Sequence, residues 1–136
     1  IAESFPFIED RVLASCEDWE LWIRLASRYK LVYSNEITST VLNHDQRSIR
    51  TIQSNKLVAR DLFFIEKLKE DREVMNSYGR SFGKFVAERF TFFMLSFSEE
   101  RNSSQVWRWA MRAVQAYPQI LGDKRFLASI KNTILK

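Results

Sequence analysis

The chain has two prolines, Pro6 and Pro118, and three glycines. Between those prolines no residue removes a backbone donor, so nothing there forbids long helices. A many-turned β protein would need far more turn-forming glycine and proline. The reading is therefore a mainly α protein. Helical periods carry it from residue 48 onward. Ile52, Leu57, Val58, Leu62, Ile65 and Leu68 form one broad apolar stripe, widened by Phe63 and Phe64, and place a helix from Ser48 or Thr51 to about Val74. Phe82, Phe85, Val86, Phe90, Phe93 and Phe97 repeat at the same period and predict a helix over 77–97. Gly79 and Gly83, four apart, would let a neighbouring helix approach closely.

Asn102-Ser103-Ser104 is a helix start signal, and Pro118 is a stop. Between them Val106, Trp109, Ala110, Ala113, Val114 and Tyr117 turn inward. Gly122 and Asp123 precede a last helix that buries Phe126, Leu127, Ile130 and Ile134. The mixed charges of 67–73 read as a solvated helix end.

The amino-terminal third is different. Pro6 implies an extended entry. Leu31-Val32-Tyr33 and the alternating run Ile37 to Leu42 read as two short strands around a Ser34-Asn35-Glu36 turn. The expected fold class is thus mainly α, with a short two-stranded β element near residues 31–43.

At 136 residues the length fits one domain, and 46% hydrophobic with 28% charged residues excludes a disordered chain. The net charge of +4 permits phosphate, nucleic acid or an anionic membrane as partner and requires none. Dispersed charges and the absence of a recognised motif speak against nucleic acid. A single cysteine, Cys16, excludes an intrachain disulfide and makes a reducing compartment the default. The longest apolar run, Phe90 to Phe97, falls well short of the ~20 residues of a spanning helix. One cysteine and one histidine cannot build a zinc site, and the glycines form no phosphate loop.

The stretch Ser15-Cys16-Glu17-Asp18-Trp19-Glu20-Leu21-Trp22-Ile23-Arg24-Leu25-Ala26 organises the first fifty residues. Leu21, Trp22, Leu25, Ala26 and Tyr29 share one helical stripe, which predicts a helix over 16–29. Ser15 stands where an N-cap belongs, with Asp18 as its capping-box partner. Glu20 lies four before Arg24, the favourable order for an ion pair. Acids at the helix start suit the dipole with or without a function.

The order Phe7-Ile8-Glu9-Asp10, then Glu17-Asp18-Trp19-Glu20-Leu21-Trp22-Ile23-Arg24, then Leu31-Val32-Tyr33, then a Thr-rich run closing on His44 and Arg47-Ser48, resembles the family-2 glycosyltransferases, inverting enzymes of GT-A fold. The resemblance covers about residues 5–50. It implies that residues 1–50 are the acceptor-side tail of a GT-A catalytic domain and 51–136 a helical carboxy-terminal extension. The chain would then be a carboxy-terminal fragment of an α/β enzyme, bacterial in type, which moves a sugar from a nucleotide sugar to an acceptor hydroxyl with inversion.

By that resemblance Asp18 is the general base. Glu17 and Trp19 bind the acceptor, His44 approaches a divalent metal (Mg or Mn), and Arg47 and Ser48 meet phosphate. The implied partners are an upstream nucleotide-sugar half carrying an Asp-x-Asp motif, the nucleotide sugar itself, and a saccharide or lipid-linked acceptor. The chain opens on Ile1, as expected of a piece that is inert alone and needs no metal by itself. The implied location is cytoplasmic, with room for contact at the inner membrane face.

Each assignment has a structural counterpart. Glu17 and Asp18 equally serve as capping acids, His44 as a satisfied polar residue, and Arg47 as a solvated charge. Trp22, on the apolar stripe, reads as core. The phenylalanine stripe is core by default, although its apolar breadth could meet lipid or drive self-association. Arg108, Arg112, Lys124, Arg125 and Lys131 form a solvated face that could also rest on an anionic membrane. The rival reading of the whole is a non-enzymatic helical protein-interaction module.

Overall fold

A computed structural model describes residues 5–13, 16–32, 34–37, 39–40 and 53–134. Five α-helices carry them: α1 (Glu17–Arg28), α2 (Ser54–Glu70), α3 (Arg72–Glu99), α4 (Ser103–Ala116) and α5 (Lys124–Ile134). Two 3-10 turns, Arg11–Leu13 and Pro118–Gly122, complete the order. The chain divides into two compact units, Ile1–Ser77 and Tyr78–Lys136, and α3 contributes a segment to each.

The expected two-stranded element near 31–43 is absent among the described residues, which contain helix, turn and irregular chain only. The described part is all-α, so it is not a piece of an α/β GT-A fold. The turn survives, with the Glu36 amide donating to Ser34 Oγ at 3.2 Å. The described residues of the flanking runs do not pair. Val32 is 96% exposed and Ile37 92%. Strand propensity measures fit to a half-buried pleated surface, and an isolated hairpin without one is at best marginal.

In the first unit α1 packs on α2, and the turn Arg11–Leu13 packs on α2 as well. Leu13 is fully buried beside a core of Leu57, Phe64, Ile65 and Leu68. Asp10 initiates that turn, its Oδ1 accepting from the Val12 amide at 2.9 Å. α2 ends at Glu70 rather than Val74 because Asp71 is extended and starts the next helix. Its Oδ1 accepts from the Glu73 and Val74 amides at 2.9 and 3.2 Å, which is N-cap geometry. α3 therefore begins at Arg72, five residues before the position its phenylalanine stripe suggests.

The second unit is built on the phenylalanine stripe. Phe93 is fully buried against Phe90 and Trp109, with ring centroids 5.9 and 4.9 Å away, and Trp109 lies 5.2 Å from Phe90. Tilted and edge-on pairs of this kind add to the area they bury. At the far end of the same helix pair, a Cβ placed on Gly83 would stand 2.6 Å from the Ala116 carbonyl oxygen. The close approach read from that glycine is real.

α3 closes without glycine. The Asn102 amide bonds back to Phe97 and the Arg101 amide to Ser98, with Arg101 at φ 57°, so a Schellman turn is made by an arginine in the left-handed region. Asn102 then caps α4 through Gln105, and Asp123 caps α5 through the Arg125 and Phe126 amides. α4, Pro118–Gly122 and α5 pack together. Leu127 and Ile134, expected inward, are 53% and 65% exposed.

Candidate functional site: the amino-terminal turn of helix α1

Three acids, Glu17, Asp18 and Glu20, occupy the first turn of α1, and Arg28 its last, in accord with the dipole. Ser15 lies outside the described residues. The N-cap position is Cys16, whose side chain makes no cap bond. Instead Glu17 Oε2 accepts the Cys16 amide at 2.8 Å.

The helix sorts its motif by face. Glu20 is 1% exposed, held by Arg24 with Nε–Oε1 at 2.6 Å and Nη2–Oε2 at 2.8 Å. The Nε contact is a charge contact without hydrogen-bond alignment. Arg24 Nη2 also donates to the Pro6 carbonyl at 2.8 Å, which ties the entry segment to α1. Phe5 adds an edge-on contact to Tyr29 and lies under the Arg28 guanidinium. At the other end Arg28 Nη2 reaches both oxygens of Asp71 at 2.8 Å. The inner side of α1 is thus held by ion pairs.

The outer side carries Asp18, Trp19 and Trp22. Asp18 and Trp22 are four residues apart, Trp19 and Trp22 three, so the three side chains are neighbours on one face. Trp19 is 56% exposed and Trp22 61%. Trp22, read as core from its stripe, is an outward residue. Asp18 Oδ1 accepts the Trp19 amide at 2.8 Å, and Oδ2 accepts no hydrogen bond among the described residues. A rigidly based carboxylate with one open oxygen, next to two indoles, can take a proton from a hydroxyl and support an apolar ring face at once.

Of the residues singled out from sequence, the structure brings Asp18 and Trp19 together. Glu17 lies next to them with one carboxylate oxygen engaged by the Cys16 backbone. His44, Arg47 and Ser48 lie outside the described residues. Among the described residues no three His, Cys, Asp or Glu side chains converge as a metal site, so the described part supplies a carboxylate and not a ligand set.

Sequence reasoning missed two features. The Glu20–Arg24 spacing was legible, but not its burial. Arg60 and Asp61, adjacent on α2, are both buried, with Arg60 Nε donating to Asp61 Oδ1 at 3.0 Å. Their place inside the apolar stripe of α2 gave no signal.

No helix among the described residues is long and apolar enough to cross a membrane. No protein-family model, curated protein or solved structure matches the chain.

Proposed function

We propose that the chain supplies the acceptor side of an inverting sugar transferase, with Asp18 as the general base. The acceptor hydroxyl gives its proton to Asp18 Oδ2 as its oxygen bonds to the sugar's anomeric carbon. The nucleoside diphosphate leaves from the opposite face with the electrons of the broken bond. Trp19 and Trp22 offer apolar faces to the acceptor ring, and Glu17 braces the turn. The resemblance in residue order between Phe7 and Ser48, which is one of sequence and not of fold, supports this reading.

The observation that carries it is the division of labour on α1. Glu20 and Arg24 clamp the helix inward, while Asp18, Trp19 and Trp22 face out together. Large aromatic side chains left in water next to an open carboxylate are costly unless something else covers them.

The nucleotide sugar, and a divalent metal (Mg or Mn) to neutralise its diphosphate, belong to a second half in this proposal. His44 would serve as a ligand there, with Arg47 and Ser48 on phosphate. The acceptor is a saccharide or lipid-linked sugar, and the location is the cytoplasm, where nucleotide sugars are made. A second reading, a non-enzymatic helical interaction module, draws on the same exposure together with Val32 and Ile37.

One experiment separates them. In the enzyme that joins this chain to a nucleotide-sugar-binding half, Asp18→Asn lowers transfer by about 10²-fold or more while nucleotide-sugar binding persists. Transfer retained by Asp18→Asn removes Asp18 as the base and leaves the interaction module.

A further inference from the structure

We propose that the outward face of α4 and α5 docks on the surface of an anionic lipid bilayer. An open apolar groove of about 540 Å³ runs between Trp107, Met111 and Val114 on α4, Leu121 on the Pro118–Gly122 turn, and Leu127 and Ile130 on α5. Its large side chains are not core. Trp107 is 47% exposed, Met111 62%, Leu121 54% and Leu127 53%. Trp107 and Met111 are one turn apart, so the apolar strip runs along α4 rather than across it.

The charges select the occupant. Residues 103–136 contain six basic residues and one acid, Asp123, so this segment is more positive than the whole chain at +4. The Asp123 carboxylate is engaged by the α5 amides it caps. Arg108 adjoins Trp107 in sequence. On the α5 side, Lys124 and Lys131 stand three residues before and four after Leu127, on its flank of the helix. All three cations are exposed. None pairs with a carboxylate among the described residues. An apolar strip with Trp and Leu, edged by Lys and Arg, is the composition of a helix that lies in the headgroup region.

A second copy of the chain would bring two such cationic faces together, which like charge opposes. Nucleic acid would use the cations and gain nothing from Leu121, Leu127 and Met111. With no spanning helix among the described residues, the contact is peripheral. The proposal uses residues remote in sequence from Asp18 and stands or falls apart from the sugar-transferase reading.

The test is flotation of the chain with vesicles of phosphatidylcholine alone, and with phosphatidylcholine containing phosphatidylserine. Binding to the anionic vesicles only, with a blue shift of tryptophan emission, is expected. Added salt weakens it, and the Lys124→Glu/Lys131→Glu variant lowers partitioning by about tenfold or more. The Trp107→Ser/Met111→Ser variant, altered only at exposed positions and checked by circular dichroism, loses the emission shift. Failure to float with anionic vesicles overturns the proposal. So does undiminished binding by both variants, or self-association through this face that Trp107→Ser/Met111→Ser abolishes.

Discussion

Arg28 Nη2 donates to both carboxylate oxygens of Asp71, at 2.8 Å each, across 43 positions of sequence. The same carboxylate caps α3 through the Glu73 and Val74 amides. One side chain therefore ends α2, starts α3 and anchors α1. Ser77 Oγ, one turn into α3, adds a bond to the Ser27 carbonyl at 3.0 Å.

Asp71→Ala removes the cap and the ion pair together. A lost cap costs about 1 kcal/mol and a charge-assisted hydrogen bond about 1.5–3 kcal/mol. Destabilisation of about 2.5–4 kcal/mol is expected in urea denaturation. Asp71→Asn keeps a capping oxygen and loses the charge, and should fall between wild type and Asp71→Ala.

Stability should fall in acid through Asp71. Burial by itself would raise its pKa, but the Arg28 hydrogen bonds, the Val74 and Glu73 amides and the Arg28 charge hold it below the ordinary 3.8. A depressed pKa means that the unfolded chain takes up the proton first. The contribution of Asp71 is present above pH ~4 and is lost as pH falls through the lower folded value. Melting curves from pH 6 to pH 2 should show this loss in wild type and a shallower one in Asp71→Asn.

Glu20 and Trp22 should invert the usual ranking of charged and aromatic substitutions. Glu20→Ala strands Arg24, which is largely buried and would keep only the Pro6 carbonyl, at a cost of about 3 kcal/mol. Trp22→Ala, at a position 61% exposed, should cost under about 1 kcal/mol. Denaturation of the two variants side by side checks the order.

Gly83→Ala should destabilise despite the better helix propensity of alanine. The propensity gain is about 1 kcal/mol. The new Cβ would meet the Ala116 carbonyl at 2.6 Å, and the backbone shift that relieves it costs about 1–3 kcal/mol. Gly122→Ala, with nothing within 4 Å, is the control and should be nearly neutral. Melting temperatures of both variants decide it.

Arg101→Gly should raise stability by about 0.5–1 kcal/mol. Arg101 sits at φ 57°, where a side chain costs about 1 kcal/mol or more and glycine very little. The greater freedom of glycine in the unfolded chain offsets part of that gain. An upward shift in melting temperature is the readout.

Much of the helical architecture was legible in sequence because its causes are local. The helical repeat of Phe82, Val86, Phe90, Phe93 and Phe97 sets a buried face wherever that helix packs. Asn102, Asp123 and Pro118 act on neighbours within a few residues. The candidate site was legible in part: Asp18 and Trp19 could be named, but not the outward turn of Trp22 that completes the face.

Local sequence suffices to make this chain helical, to start and stop α4, to choose the phenylalanines of a core and to let Gly83 admit a close neighbour. The remaining features depend on contacts between distant segments. Residues 31–32 and 34–37 stay irregular because a strand needs a remote backbone partner. Asp71 caps α3 through amides two and three residues on, but its pairing with Arg28, 43 positions earlier, was decided by the fold. α1 turns Glu20 inward and Trp22 outward because Arg24 and the Pro6 carbonyl give the buried carboxylate and its partner their bonds. Periodicity tells which residues share a face of a helix; what lies against that face is set by residues far away in the chain.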